Sequence, residues 1–369
     1  MKNKRMARWM LMMVLVVTLA MAGCSGETKN NTASVKKLAV SGISSTSQYL
    51  PVYVAHQKGW FKEAGLEVED VMFTNGPVQM ESLSSNSWDI GLTGIGGVLS
   101  GTIRYDALLV SASSTDDGGQ YVFARKDSPI VAAGKGNNKI DPEIYGTVET
   151  WKGVKALCSA GTTLQYTLSK TLSGFGLTKE DVDFVAMDGP TIYSSFLAGE
   201  GDVCVLGNAA GAFSMLKMSD EYVPVSNGRI AQTGLMTNIM ANKNSYNDPE
   251  KYEAMKIFLQ VYFKATKWIE ENPEEAAKLM LDFAEDGGSK VDLETCKTLL
   301  QADQYYTPES AYKLATEKAE GQDYSVMEGK LMGCLEFFIE TGNYKEEDKA
   351  GFLNHTDAKL ITDVYNAMK

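Results

Sequence analysis

The sequence predicts an α/β protein built as two lobes, and three observations carry that prediction. Its 369 residues exceed one ordinary domain. Short apolar strands alternate with helices in a βαβα rhythm, which implies parallel strands joined by crossover helices. The rhythm is interrupted once, by the Gly/Asn/Lys-rich stretch "VAAGKGNNKIDPE" (131–143), and then restarts. An apolar fraction of 44% is enough to fill both cores. The 35 basic and 47 acidic residues give a net charge of −12 with no long basic block. That argues against nucleic acid or an anionic membrane surface as the main partner.

Reading from the start, Lys2, Lys4, Arg5 and Arg8 precede thirteen almost wholly apolar residues, Trp9 to Met21. A basic start, an apolar run too short to span a bilayer, and small residues after it describe an export signal over 1–23. Ala22-Gly23-Cys24 resembles the cleavage site of a bacterial lipoprotein signal, with Met21 where Leu is usual. The resemblance implies that Cys24 is lipidated (palmitate among its chains) and becomes the first mature residue. An ordinary secretion signal with a Cys beside it is the alternative. Residues 24–36 lack apolar side chains to bury and suit a flexible tether.

The elements then follow in order. "KKLAVSG" is a strand, and "YLPVYVAHQKGWFKEAG" is helical with Pro51 in its first turn and Gly59 and Gly65 as breaks. "LEVEDVMF" alternates as a strand, "TNGP" turns, "VQMESLSSNS" is a helix, "WDIGLTG" a strand and "IGGVLSGTIRY" a helix. "ALLVSASS" and "QYVFARK" are strands. Past the interruption come "WKGVKALCSA" (strand), "GTTLQYTLSKTLSGFG" (helix), "VDFVAM" (strand), "TIYSSFLAGE" (helix) and "GDVCVLGN" (strand). Beyond about residue 240 the pattern is helical, over 249–271, 273–284, 291–300, 307–319 and 324–341. Met255, Phe258, Leu259, Tyr262 and Phe263 form a core-facing stripe there.

Few residues offer catalytic chemistry. Besides Cys24 there are Cys158, Cys204, Cys296 and Cys334, with no CxxC pair, so no metal knuckle is expected. Cys296 with Cys334 and Cys158 with Cys204 are candidate disulfides, and four separate buried thiols are the equal alternative. The only histidines, His56 and His355, cannot furnish a zinc cluster or a Ser-His-Asp triad. No phosphate-binding, dinucleotide, HExxH or GxSxG motif occurs, so neither cofactor nor metal is expected.

Ordered motifs carry a family resemblance. Pro51 and Ala55 precede Gly59-Trp60-Phe61, then Gly65-Leu66-Glu67-Val68, and Asp89-Ile90-Gly91 leads into a small-residue turn. "ALCSAGTT" and "FLAGEGDVCVLGN" match in the second half. Across roughly 37–345 the chain resembles substrate-binding proteins of bacterial ABC importers for sulfonates, taurine, nitrate and thiamine-precursor pyrimidines. The resemblance implies the type II periplasmic binding protein fold, with lobe 1 formed by 37–122 and 236–369, lobe 2 by 123–235, and crossings near 120–130 and 230–240. It also implies a monomer, anchored by lipid outside the cell membrane, that captures a small polar or aromatic molecule for ABC permease subunits and is not an enzyme. The same fold hosts an anchored sensor or adhesin, and a pyrimidine synthase whose cysteine-rich cluster has no counterpart here.

In such sheets ligands sit beyond the carboxyl ends of strands, where helix N-termini present free N–H groups. "SGISSTSQ", "LTGIGG", "VSASSTDDGG", "CSAGTT" and "VLGNAA" end strands this way and are rich in Gly, Ser, Thr and Asn. The ligand-binding candidates are Thr46, Gln48, Tyr49, Thr93, Gly94, Gly161, Thr162, Thr163 and Asn208, with Ser47 as a helix cap turned away from ligand. Ser159 or Thr162 equally suits a cap for the helix near 163. Asp116, Asp117 and Asp188 lie near strand ends, and any of them facing the cleft would suit a cationic amine. Arg104, Arg125 and Arg229 lie away from the loop tips, so no guanidinium clamp for a carboxylate or sulfonate is visible.

Overall fold

Ten strands form two five-stranded sheets in the computed structural model, which describes residues 35–369 except 45, 208, 209, 289 and 290, and of Ala210 the backbone only. The expected signal, Cys24, the tether as far as 34, and Asn208 lie outside the described residues. The first sheet contains β1 (Lys36–Ile43), β2 (Leu66–Phe73), β3 (Ile90–Thr93), β4 (Ala107–Thr115) and β10 (Met236–Asn242), ordered β2-β1-β3-β10-β4. The second contains β5 (Gln120–Arg125), β6 (Lys155–Cys158), β7 (Asp183–Ala186), β8 (Val203–Gly207) and β9 (Tyr222–Asn227), ordered β7-β6-β8-β5-β9.

The sheets are mixed: the expected parallel strands are present, and antiparallel strands join them. β1 runs parallel to β2 and β3, and β6 to β7 and β8. β10 is antiparallel to β3 and β4, and β5 to β8 and β9. A parallel neighbour requires a crossover of a dozen or more residues. β5 and β10 instead arrive from the other sheet through the short segments 116–119 and 228–235 and enter against their neighbours. Because β5 begins at Gln120, the expected break after 122 falls inside a strand of the second sheet. β9 escapes sequence reading because Pro224 interrupts its pattern, and a proline is tolerated here because β9 is an edge strand.

The helices follow the apolar periodicity closely. Pro51 occupies the first turn of the Leu50–Gln57 helix, and Gly59 and Gly65 both take φ of +71°, a left-handed conformation that ends each turn. Phe61 stacks on Phe258 at 5.8 Å, fastening the Gly-Trp-Phe turn to the Pro249–Glu271 helix. Pro273–Asp286, Leu293–Ala302, Pro308–Thr316 and Val326–Glu340 complete the expected helical series. Among the described residues no helix is long and apolar enough to cross a membrane. All four described cysteines are separate buried thiols, so both candidate disulfides are absent. Burial pushes Cys296 up to about 11 and Cys334 up to about 12.

Asp89 explains why an acidic residue stands two positions before the glycine of β3. Its Oδ2 accepts from the Ala39 N–H at 2.8 Å and Lys251 Nζ at 2.7 Å, and its Oδ1 accepts from Ser245 Oγ at 2.6 Å. One buried carboxylate thus joins β1, the approach to β3 and the start of the long C-terminal helix. Gly91 is needed beside it, since a Cβ there would lie 2.0 Å from Ser41 Oγ. Hydrogen bonds to charged groups contribute about 1.5–3 kcal/mol. Asp89→Ala should therefore cost about 2–3 kcal/mol in urea unfolding; an unchanged midpoint would show that the carboxylate does not hold these elements together.

Candidate functional site

A cavity of about 600 Å³ lies where the strands of both sheets end. Every parallel strand contributes the turn at its carboxyl end. β1 supplies Ile43, Ser44 and Thr46, β2 supplies 74–77, and β3 supplies Gly94, Gly96 and Gly97. From the second sheet β6 supplies Ser159 and 162–164, β7 supplies Gly189, Pro190 and Tyr193, and β8 supplies Leu206 and Gly207. Asp116 and Gln120, at the two ends of the first crossing, line it as well. Glycine dominates the wall, so a ligand can approach backbone closely.

Of the sequence candidates, the cavity brings together Thr46, Gly94, Thr162 and Thr163. Thr46 Oγ1 donates to the Ile43 carbonyl at 2.8 Å, which folds the turn back on β1. Thr162 caps the Thr163–Ser173 helix by accepting from the Leu164 N–H at 3.2 Å, and it lines the cavity too, so capping and lining coincide. Thr163 Oγ1 accepts from Gln120 Nε2 at 3.1 Å, linking the second sheet's site helix to the crossing.

The other described candidates do not line it. Tyr49 is core: its hydroxyl donates to Asp70 Oδ1 at 2.7 Å, and its ring fills the space beside Gly42, where a Cβ would be 2.1 Å away. Burial first, then Asp70, raises its pKa. Gln48 and Thr93 are likewise buried outside the wall. Thr93 Oγ1 would meet a Cβ on Gly97 at 2.0 Å, so the threonine shapes the turn from behind. Gly161 lies just behind the wall, with φ of +67° and its N–H donated to Gln165 Oε1 at 2.7 Å. Ser47 is not a cap: the Ser47–Tyr49 turn is closed by backbone, and the Ser47 carbonyl accepts from the Tyr305 hydroxyl at 2.6 Å.

Sequence reasoning missed 74–77, Gly189, Pro190, Tyr193 and Gln120. A usable signal was present, because 74–77 and 189–190 follow strands as the chosen turns do. Among the three acidic candidates only Asp116 lines the cavity. Asp117 is ion-paired with Arg229 at 3.9 Å, and Asp188 caps the Gly189–Leu197 helix through the Thr191 N–H at 2.9 Å.

The two sheets touch closely beside the cavity. A Cβ on Gly96 would lie 2.1 Å from the Gly161 carbonyl oxygen, and one on Gly94 would lie 3.2 Å from Thr163 Cγ2. The two crossings run side by side: the Asp116 N–H donates to Leu235 O and the Gly228 N–H to Gln120 O, both at 2.9 Å. Asp303 reaches in from the C-terminal helices to accept from the Gly118 N–H at 3.0 Å and from Thr115 Oγ1 at 3.1 Å.

Two sheets joined by paired crossings beside a shared cavity define a two-lobed binding protein. The chain belongs to the NMT1-like family, whose model matches residues 32–281. A protein of Brachyspira hyodysenteriae named as an ABC transporter periplasmic binding protein is 24% identical over 315 residues, covering 85% of this chain and 88% of that one. The fold matches the alkanesulfonate-binding protein SsuA of Xanthomonas axonopodis bound to MOPS, with a TM-score of 0.64 at 15% identity, over 84% of this chain and 94% of that one. It also matches the nitrate-binding protein NrtA of Synechocystis, with a TM-score of 0.68 at 12% identity, over 91% and 89%.

Replacing Gly96 by Ala should hold the sheets apart, because its Cβ has backbone as its obstacle. The expected outcome is a larger radius of gyration by X-ray scattering, with the unfolding midpoint little changed. Identical scattering of Gly96→Ala and the parent would show that the Gly96–Gly161 contact does not set the spacing.

Proposed function

We infer that this protein is an extracytoplasmic solute-binding lipoprotein that captures a small polar or aromatic organic molecule and delivers it to the permease of an ABC importer. The observation that carries the reading is the convergence of all six parallel-strand ends, from both sheets, on one cavity of about 600 Å³. A ligand reaching both walls is held more tightly when they are close, so its binding energy favours the closed form. Family membership and the named relatives agree with transport. The two bodies that move are taken as residues 37–122 with 236–369, and 123–235.

Binding without turnover suits the wall's chemistry. His56 pairs with Asp70 at 3.1 Å and His355 is bonded to Asp106, both outside the cavity, so the described wall holds no imidazole to act as a general base. The protein acts as a monomer, tethered through lipidated Cys24, so that it meets the permease at the membrane surface.

Two experiments test this. Sulfonates, nitrate, pyrimidines, amino acids and amines are screened by thermal shift, where a solute at 100 times its Kd adds about 2.7 kcal/mol. At least one class should raise the midpoint and also compact the protein in scattering; stabilisation by none, or chemical turnover of one, would defeat the reading. Separately, a palmitate probe should label the protein in cells and Cys24→Ala should abolish the label and release the chain from membranes. Retention of the variant on membranes would remove the lipid anchor.

A further inference from the structure

We propose that the solute is an organic amine, protonated at neutral pH and carrying an apolar body, and that Asp116 and Gln120 read its N–H donors. The inference deepens the solute-capture reading and rests on it. Four observations on different parts of the wall agree.

The first is the sign of the charge. Among the described residues Asp116 is the only charged side chain lining the cavity, and it is 4% exposed. A second anion brought beside a buried carboxylate is repelled across a low dielectric, whereas an ammonium is attracted.

The second is the fate of the guanidinium groups. Arg125 donates to the carbonyls of Gly201, Phe196 and Glu200 and lies over the Phe196 ring. Arg104 donates to the Asn343 carbonyl over the Tyr344 ring, and Arg229 donates to the Ala302 carbonyl. These are the only arginines beyond position 8, and no lysine lines the described wall. Among the described residues no guanidinium or ammonium lines the wall to clamp a sulfonate or carboxylate.

The third concerns the helix N-termini around the cavity, which would by themselves favour an anion. Asn75, Thr162 and Asp188 each accept from a first-turn N–H of the helix they precede. Gly94, at the head of the Ile95–Arg104 helix, has no side chain to cap with. Asp116 stands beside that helix start, since a Cβ on Gly94 would lie 3.6 Å from Asp116 Oδ2.

The fourth is an acceptor in the wall without a donor. Gln120 is buried, its Nε2 is used on Thr163 Oγ1, and its Oε1 has no hydrogen-bond partner. A buried acceptor left unmade is costly. An N–H of an ammonium satisfies it, and a sulfonate or nitrate, which carries acceptors only, does not. The remaining wall combines glycines and small hydroxyl residues with Ile43, Pro77, Leu164, Pro190 and Leu206, and these apolar side chains suit an apolar body.

The test uses ligands that share a body and differ in head group. Phenethylamine, 2-phenylethanol and 2-phenylethanesulfonate are titrated calorimetrically against the full chain in lipid nanodiscs, with empty nanodiscs as control. The amine should bind at least 30-fold more tightly than the sulfonate, with the alcohol between. Asp116→Asn should lower amine affinity by about 30-fold or more, as truncation of one partner of a buried charge pair does, and should narrow the gap to the sulfonate. Wild-type protein that prefers the sulfonate overturns the amine assignment while leaving solute capture intact. Equal amine affinity in wild type and Asp116→Asn removes Asp116 from the site. Failure of all three head groups, together with failure of every class in the thermal screen, overturns solute capture and the amine with it. Because the head-group order is read on wild type alone, it decides the matter even if Asp116→Asn does not fold.

Discussion

The whole molecule depends on the chain passing twice between its two sheets along neighbouring paths. Residues 116–119 carry it out of the first sheet and 228–235 carry it back, and the two paths are hydrogen-bonded to each other. That pairing fixes β5 and β10 inside sheets whose other site-forming strands are parallel. It also forces both sets of strand ends to look into one space. Gln232 and Gly234 take positive φ in the returning path, where the backbone turns back to meet Asp116. Asp303 then braces the outgoing path from the C-terminal helices, so the helical third of the chain is part of the frame that sets the crossing's position.

Glycine is the second device, and it works by absence. Gly96 admits the Gly161 carbonyl, Gly97 admits Thr93, and Gly91 admits Ser41 and Gln79. Each substitutes backbone proximity for side-chain packing, and the result is a wall of low relief in which few side chains select the ligand. The side chains that interrupt this low relief include Thr46, Asp116, Gln120, Thr163 and Tyr193. A neutral phenol is expected at Tyr193, because burial, then Tyr222, raises its pKa.

Most of the fold was legible because its signals are local. The helices from 249 onward follow from apolar spacing, and the strands from 36 to 125 from short apolar runs between turn residues. What could not be read was direction: antiparallel entry of β5 and β10 depends on where a short crossing delivers the chain, which no local pattern records. The site was legible as a set of loops and much less so as side chains. Tyr49 follows three polar residues and looks exposed, but Gly42 on the preceding strand opens a slot for its ring and Asp70 waits at the far end. Gln48 turns inward beside it. Asp89 belongs to the frame, and its partners Ser245 and Lys251 lie far along the chain, where no local pattern points to them.

Recognition and closure meet at the same short segment. Asp116 and Gln120 bound the crossing, and Gln120 holds Thr163 at the head of a helix in the second sheet. Asp116 approaches Gly94 at the head of a helix in the first. On the proposed reading, a solute bound between them would touch the crossing and both walls together. A ligand shifts a two-state equilibrium only by its difference in affinity for the two states. On the proposed reading, that difference would come from the close approach of Gly94 to Thr163, where a Cβ on Gly94 would lie 3.2 Å from Thr163 Cγ2.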